Sequence, residues 1–349
     1  MGMDTSRINT TSSNIIVCTR DLDYGTGIQV KYELNQFDID KSIDKIIVIG
    51  PKKLEGYSNK TEFIVIPNKG RFFVTKEPYF AFKCNQKIRE IIKREKIDRI
   101  YLHFPIFAQP YGIETIRKVH LLHKAIIKHY PKTVMFAIAC FFHYLYSYFD
   151  LRTIKYSSCV HFVGKGIMKD AEYFYPEYRH KFQYHPNQVD KNIFFRVSEK
   201  ERIRLKEKLG LNDTKTNILF VGRLEPLKGI NLITNVLANI KTVNVRLIVI
   251  GDGPLRNKTV TYPFVRYIGK IQHTEMKKYY NISDLFVMPS YYETFSLTVF
   301  EASACGCKIL SRDVGEAKFL LDKDSLFFDD EEFEQKLTKF IRHYPVKDS

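Results

Sequence analysis

Short apolar runs alternate with longer stretches of helical period along the whole chain. That alternation is the signature of parallel sheets assembled from strand-helix-strand units. In the first half, residues 14–19, 45–49, 62–66, 99–103, 133–139 and 159–163 read as strands, with helical patterns over 79–96 and 112–130 between them. The pattern breaks at Tyr184-His185-Pro186-Asn187 and resumes after a strongly charged helix over 198–209. A second series of strands follows at 217–221, 246–250, 264–268, 284–288 and 308–310, and a helix over 331–344 closes it. A chain of 349 residues is long enough for two α/β domains, each with its own core. The expected division is a polar, disordered tail over 1–13, one domain over 14–190 and a second over 191–349.

Composition refines this picture in two places. Hydrophobic residues at 44% and charged residues at 27% fit an ordinary globular protein, but the net charge of +16 is high. Residues 51–132 hold 18 Lys and Arg against 7 Asp and Glu, so most of the excess sits there. Solvated helix faces, an anionic membrane surface, phosphorylated substrates and nucleic acid would each suit such a charge. No RNA-recognition signature or Cys/His finger supports a specific nucleic-acid partner. The run 133–149 lacks formal charge, yet His143, Tyr144, Tyr146, Ser147 and Tyr148 make it a buried strand passing into an aromatic-rich segment rather than a membrane span. The six cysteines form no metal-ligand spacing and read as reduced thiols of a cytoplasmic protein. Met1-Gly2 with Ser6 satisfies the myristoylation pattern only formally, and nothing in the polar first residues reads as a secretory signal.

The chemistry concentrates where the strands of the second domain end, which is where ligands bind in open α/β sheets. The first of these strands runs into Gly222-Arg223-Leu224-Glu225-Pro226-Leu227-Lys228-Gly229, placing two cations near a helix N-terminus, a combination suited to a diphosphate. The second ends in Gly251-Asp252-Gly253-Pro254, a glycine-rich exit that is weak evidence alone. Ile268, at the end of the third, joins the expected nucleotide contacts. The most specific segment runs from Ser290 through Glu293, Thr294, Phe295, Ser296 and Leu297 to Glu301 and Gly306. With a helix starting near Phe295, its first amides would point at phosphate while the two glutamates, eight positions apart in numbering, accept from hydroxyls. Capping and solvation are the alternative for an isolated pair of glutamates.

Taken in order, these three segments resemble the retaining glycosyltransferases of the GT-B fold, in particular glycosyltransferase family 4. The resemblance covers roughly residues 217–320. It implies a GT-B architecture: α/β, with two Rossmann-like domains whose mostly parallel sheets face a central cleft. It further implies that Arg223 and Lys228 bind the donor diphosphate, that Glu293 contacts the donor sugar, and that Glu301 holds the ribose. The amides around Phe295, Ser296 and Leu297 would approach the phosphates, with Gly222, Gly251, Asp252 and Gly253 lining the nucleotide. Tyr24-Gly25-Thr26-Gly27 is similar to the family's first glycine-rich loop, so Gly25 and Gly27 join the nucleotide-sugar contacts. The segment His185-Pro186-Asn187-Gln188-Val189-Asp190 resembles the family's interdomain segment, with Gln188 in place of a glycine. The family's histidine at an N-domain strand end has two candidates here, His143 and His103, and neither fits in detail. The chain also stops soon after its last helix, without the family's usual extension back over the first domain, so closure of the two domains is expected to be less constrained.

The function implied is retaining transfer of a sugar from a UDP- or GDP-sugar to a hydroxyl of a glycan, lipid-linked or protein acceptor, with no obligatory metal or other cofactor. Rival readings are another GT-B nucleotide-sugar enzyme, such as an epimerase or phosphorylase, and a weakly catalytic nucleotide-sugar-binding module. The expected location is cytoplasmic, with peripheral attachment to the inner membrane face as the role of the basic first domain.

Overall fold

The structure, a computed structural model, describes residues 13–343 except 21, 23–25, 68–72, 107–110, 126–135, 212–213 and 241–243. The chain divides after Pro186 into two compact units. Most of the tail, together with Tyr24, Gly25 and positions 133–135 of one expected strand, lies outside the described residues.

The first unit is a seven-stranded parallel sheet. In chain order its elements are β1 (Ser13–Cys18), α1 (Thr26–Ile39), β2 (Ile43–Gly50), β3 (Thr61–Val65), α2 (Phe73–Ile92), β4 (Arg99–Leu102), β5 (Glu114–Val119), α3 (Phe136–Tyr156), β6 (Cys159–Phe162), α4 (Lys165–Phe174) and β7 (Phe182–Tyr184). The spatial order is β3-β2-β1-β4-β5-β6-β7, every neighbour parallel. β1 and β2 are continuous apolar runs because helices cover both faces of a parallel sheet. Ile15 and Val17 pack toward Val30 and Leu34 of α1, while Ile16 and Cys18 pack toward Phe80, Cys84 and Ile88 of α2.

Two expectations fail in this unit. Residues 114–119 were expected inside a helix but form β5, and the expected strand at 133–139 belongs, from Phe136 on, to the helix α3. The cause is charge in a buried strand. Arg117 and Lys118 break the apolar run that marks the other strands, yet both are buried. Arg117 donates through Nη1 to the carbonyls of Leu102 (3.2 Å) and Lys118 (2.8 Å), and Lys118 pairs with Glu33 of α1. Burial lowers the Arg117 pKa to about 10. These contacts supply the partners that a buried charge needs, and no local pattern announces them.

The second unit carries α5 (Glu199–Lys208), β8 (Thr216–Val221), α6 (Ile230–Ile240), β9 (Val245–Ile250), α7 (Arg256–Thr259), β10 (Val265–Gly269), α8 (Met276–Ile282), β11 (Leu285–Met288), α9 (Leu297–Ala304), β12 (Ile309–Arg312), β13 (Leu326–Phe327) and α10 (Asp330–His343). Its six parallel strands run in the order β10-β9-β8-β11-β12-β13. Renumbered from β8, that is the 3-2-1-4-5-6 order of dinucleotide-binding folds, with the switch point between β8 and β11. Ser198 caps α5 by accepting from the Glu201 amide at 3.3 Å, with acids in the first turn and lysines in the last. Arg202 of α5 reaches Asp284 at 2.7 Å, and Asp284 also accepts from the Asn217 amide at 2.8 Å. One buried carboxylate thus ties the starts of β8 and β11 together beneath the switch point. α10 is held by a reciprocal cap, with Asp329 accepting from the Glu332 amide and Glu332 from the Phe328 amide, both at 2.8 Å.

At the opposite ends of these strands the loops meet backbone to backbone. Gly251 follows β9 with φ of +131°, and a Cβ there would lie 1.9 Å from the Gly222 carbonyl oxygen after β8. Only glycine permits both the angle and the approach. Gly251→Ala is therefore expected to destabilise the second unit by about 3 kcal/mol, lowering its Tm by roughly 6–12 °C in calorimetry. An unchanged Tm would mean that this contact is not needed.

Candidate functional site

The loops after β8, β9 and β11 assemble one site at the switch point of the second unit. Gly222 continues the sheet by donating to the Ile250 carbonyl at 3.0 Å, and Leu224 donates to the Asp252 carbonyl at 3.1 Å, so the first two loops are locked together. Asp252 accepts from the amide of Gly253 at 2.9 Å, closing that turn. β10 adjoins them through the bond from the Gly251 amide to the Gly269 carbonyl at 2.9 Å, while Ile268 turns its side chain into the hydrophobic core.

The loop after β11 crosses to the other side of the switch point. The Tyr291 amide donates to the Leu227 carbonyl at 2.9 Å. Gly229, at φ of +71°, lets the β8 loop pass so close to Pro289 that a Cβ would sit 2.5 Å from its oxygen. The two loops are then joined by charge, with Lys228 Nζ 2.7 Å from Glu293 Oε1. An ammonium has three protons, so this pair leaves Lys228 two more to give. Arg223 is 73% exposed and contacts only the tip of Glu225, at 3.3 Å among the ion pairs of the described residues.

Behind Glu293, Ser296 occupies the left-handed region at φ of +68°, the single non-glycine among the described residues to do so. α9 begins one residue later, at Leu297 rather than near Phe295, and no side chain caps it. Its first two amides, of Leu297 and Thr298, have no acceptor within the helix, while the Val299 amide donates to the Ser296 carbonyl at 2.9 Å. A strained residue at an uncapped helix start marks a place where local stability has yielded to another requirement. Glu301 is therefore one turn inside α9, not nearly two. It is buried, taking the Tyr280 hydroxyl on Oε2 at 2.8 Å and standing 2.6 Å from His273 Nε2 through Oε1. Burial and the adjacent Glu301 carboxylate push the Tyr280 pKa well above its ordinary value.

Sequence reasoning missed the supports of this site. Arg312, at the end of β12, donates to the Pro289 carbonyl at 3.3 Å, packs on the Tyr291 ring 4.4 Å from its centre, and pairs with Asp330 at the start of α10. His273 and Tyr280 were missed as well, although a histidine between β10 and α8 outside any apolar period was a visible signal. The chain also contains three Asp-x-Asp tripeptides, the spacing many metal-dependent transferases use. Here Asp40 accepts from the Ser42 amide and Asp322 from the Ser325 amide, closing turns, while Asp38 accepts from Ser58 and Thr61 across the chain at the start of β3; Asp21 and Asp23 lie outside the described residues.

In the first unit, His103 follows β4 and is buried, whereas His143 lies within α3 and so ends no strand. The strand between β4 and β6 is β5, and the residue that follows it is His120. His103 Nδ1 and His120 Nε2 are 3.4 Å apart, and His103 Nε2 is 3.5 Å from Glu33. Burial forces both pKa values well below 6.5, with neighbouring Lys118 and Arg117 adding to the effect. His143, near His123 on α3's inner side, is lowered to about 4, as is His161 beside His185. Gly27, near the start of α1, packs against the Leu22 backbone; Gly25 is outside the described residues.

These two doubly wound units together define a GT-B fold. It is shared with WaaG, a glycosyltransferase involved in lipopolysaccharide biosynthesis (TM-score 0.79, 15% identity, 95% of this chain and 92% of that one). HepE of Anabaena in complex with UDP-glucose also shares it (TM-score 0.67, 15% identity, 95% and 90% covered). Residues 201–345 match the family model of the glycosyl transferases group 1. An uncharacterized glycosyltransferase of Methanocaldococcus jannaschii is 30% identical over 174 residues, 46% of this chain and 44% of that protein. The chain thus aligns with less than half the length of that curated relative.

The buried histidines set a pH dependence. A base whose folded pKa lies below its unfolded value binds fewer protons when folded, so stability falls as pH drops below the unfolded value near 6.5. For His143 and His161 the loss continues to about pH 4. Glu33, raised chiefly by burial, acts in the opposite direction but is one group against the histidines. The urea midpoint of the first unit is expected to be lower at pH 5.5 than at pH 7.5; a midpoint equal or higher at pH 5.5 would contradict the burial of these rings.

Proposed function

We propose that this protein is a retaining glycosyltransferase that moves a sugar from a UDP- or GDP-sugar to an acceptor hydroxyl, without an obligatory metal. The observation that carries the reading is the meeting of the Arg223/Lys228 loop with the Glu293–α9 loop at the switch point. The group 1 match over the same residues supports it, as does the fold shared with a protein bound to UDP-glucose. In this reading Arg223, Lys228 and the first amides of α9 take the diphosphate, while Gly222, Gly251, Asp252 and Gly253 border the nucleotide. Glu293 takes sugar hydroxyls and Glu301 the ribose diol.

The reaction balances without an enzyme nucleophile. The bond from the anomeric carbon to the diphosphate oxygen breaks, the acceptor oxygen bonds to the same face of that carbon, and the acceptor proton passes to the departing diphosphate. Cations and helix amides aimed at the leaving oxygen stabilise the charge that develops there. Release of free nucleoside diphosphate in step with glycosylated acceptor separates this reaction from epimerisation or phosphorolysis.

Titration calorimetry with UDP and GDP, paired with a transfer assay, tests the assignments. Arg223→Ala and Lys228→Ala are each expected to lower transfer by about 2–4 kcal/mol of transition-state stabilisation with the fold retained. Glu301→Gln should weaken binding of the diphosphate itself, and Glu293→Gln should spare that binding while slowing transfer. Identical behaviour of the two glutamine variants would contradict the roles given to them.

A lipid-linked or membrane-proximal acceptor is favoured by the outer face of α2. Tyr79 and Phe82 are exposed there, and Lys93 and Arg94 are exposed in the turn that follows it. No described helix is long and apolar enough to cross a membrane, so attachment would be peripheral. Each cation near an anionic surface contributes roughly 1 kcal/mol, reduced by salt. Co-sedimentation with phosphatidylserine-containing but not neutral vesicles is expected, with loss in high salt and in a Phe82→Ser, Lys93→Glu, Arg94→Glu variant. No binding at low salt would point to a soluble or protein-borne acceptor.

A further inference from the structure

Glu301 is gripped by two donors of different kinds. Tyr280 is fully buried and gives its hydroxyl proton to Oε2, and the environment that suppresses its ionisation makes it a permanent donor. His273 stands on the other side, 28% exposed, with Nε2 2.6 Å from Oε1. An ionised carboxylate only accepts, so the proton between them is on Nε2. With one donor on each oxygen and the donors on different elements, the carboxylate cannot rotate, and it keeps lone pairs for further hydroxyls. The His273 ring is itself held by the Phe194 ring, 4.9 Å away between centroids at an angle of 53°. Nothing in the local fold demands histidine at this position. It opens a short 3₁₀ turn whose preceding residue, Gln272, makes no side-chain cap, and the residues that bury α8 are Met276, Tyr279, Tyr280, Asn281 and Ile282.

We propose that His273 is a positioning residue for the donor nucleotide, acting by orienting the Glu301 carboxylate toward the ribose hydroxyls. The inference rests on the reading of Glu301 as the ribose contact. Its partner in that task, Tyr280, is sealed in the core; His273 borders solvent and so couples the nucleotide directly to the loop between β10 and α8. The contribution is the N–H donor, not the ring. Ring packing on Phe194 and hydrogen bonding to Glu301 are separable, because phenylalanine preserves the first and glutamine, whose amide reaches as far as Nε2, preserves the second.

The test uses the full chain and calorimetric affinity for UDP and GDP, with thermal unfolding alongside. His273→Phe is expected to weaken binding of whichever diphosphate the unmodified chain binds by about tenfold, with His273→Gln within threefold of the unmodified chain. Undiminished affinity in the Phe variant, or an equal loss in both variants, would overturn the proposal, since each assigns the effect to something other than the donor. Glu301→Gln distinguishes the underlying reading: if it leaves affinity unchanged, the ribose assignment fails, and the role of His273 fails with it. A loss in Glu301→Gln with no loss in His273→Phe removes His273 alone.

Discussion

Opposite charges on either side of one sheet crossover hold the second unit's candidate site together. Lys228 comes from the loop after β8 and Glu293 from the loop after β11, and these strands are neighbours at the point where the strand order reverses. Helices leave a parallel sheet in opposite directions at such a point, so the two loops diverge and leave a crevice between them. Diverging loops have few contacts of their own. Here the gap is bridged by the ion pair, by the Tyr291–Leu227 backbone bond and by the passage of Gly229 over Pro289. Beneath the site Asp284 ties the same two strands at their other ends, so both ends of the crossover are fixed.

Given that frame, the local departures from good helix chemistry have a common direction. α9 starts without a side-chain cap, from a serine in a conformation that glycine favours, and buries a glutamate one turn in. Each costs stability, of order 1 kcal/mol or more for the backbone alone. The Leu297 and Thr298 amides are left without an acceptor in the helix, and the buried Glu301 carboxylate is fixed by two donors. The surrounding structure compensates by strong anchoring nearby. Arg312 braces Pro289 and Tyr291 from β12, and Asp330 brings the charge-neutralising partner from the first turn of α10.

The first unit solves a different electrostatic problem. Its exposed cations include Lys52, Lys53, Lys93, Arg94 and Lys96 in loops and turns, while its interior holds charged and titratable groups that burial drives toward neutrality. Two backbone carbonyls receive the Arg117 guanidinium and the Asp150 carboxylate favours its charge, while Glu33 reaches down from α1 to meet Lys118. The histidines beside them have no such counter-charge in sufficient measure and are held neutral.

β8 and β9 were legible because each is an apolar run followed by glycine: 217–221 and 246–250 differ from them by one residue at the start, whereas the two-residue β13 was not expected. The charged helix at 198–209 was legible from Ser198 and the placement of acids before lysines, and the last helix from its acidic first turn. These are local signals, set by side-chain period, capping and the helix dipole. β5 was not legible, because its buried charges are satisfied by residues 15 to 85 positions away, and without them a buried Arg117-Lys118 pair looks like the polar face of a helix. The misplacement of that one strand sent the search for a strand-end histidine to His143 and past His120. Likewise the residue types at Arg223, Lys228, Glu293 and Glu301 were visible in the chain, but not that Lys228 pairs with Glu293 or that His273 and Tyr280 grip Glu301. Pattern along a chain reports what each segment buries; which charges meet is decided only when the strand order brings distant loops to the same edge.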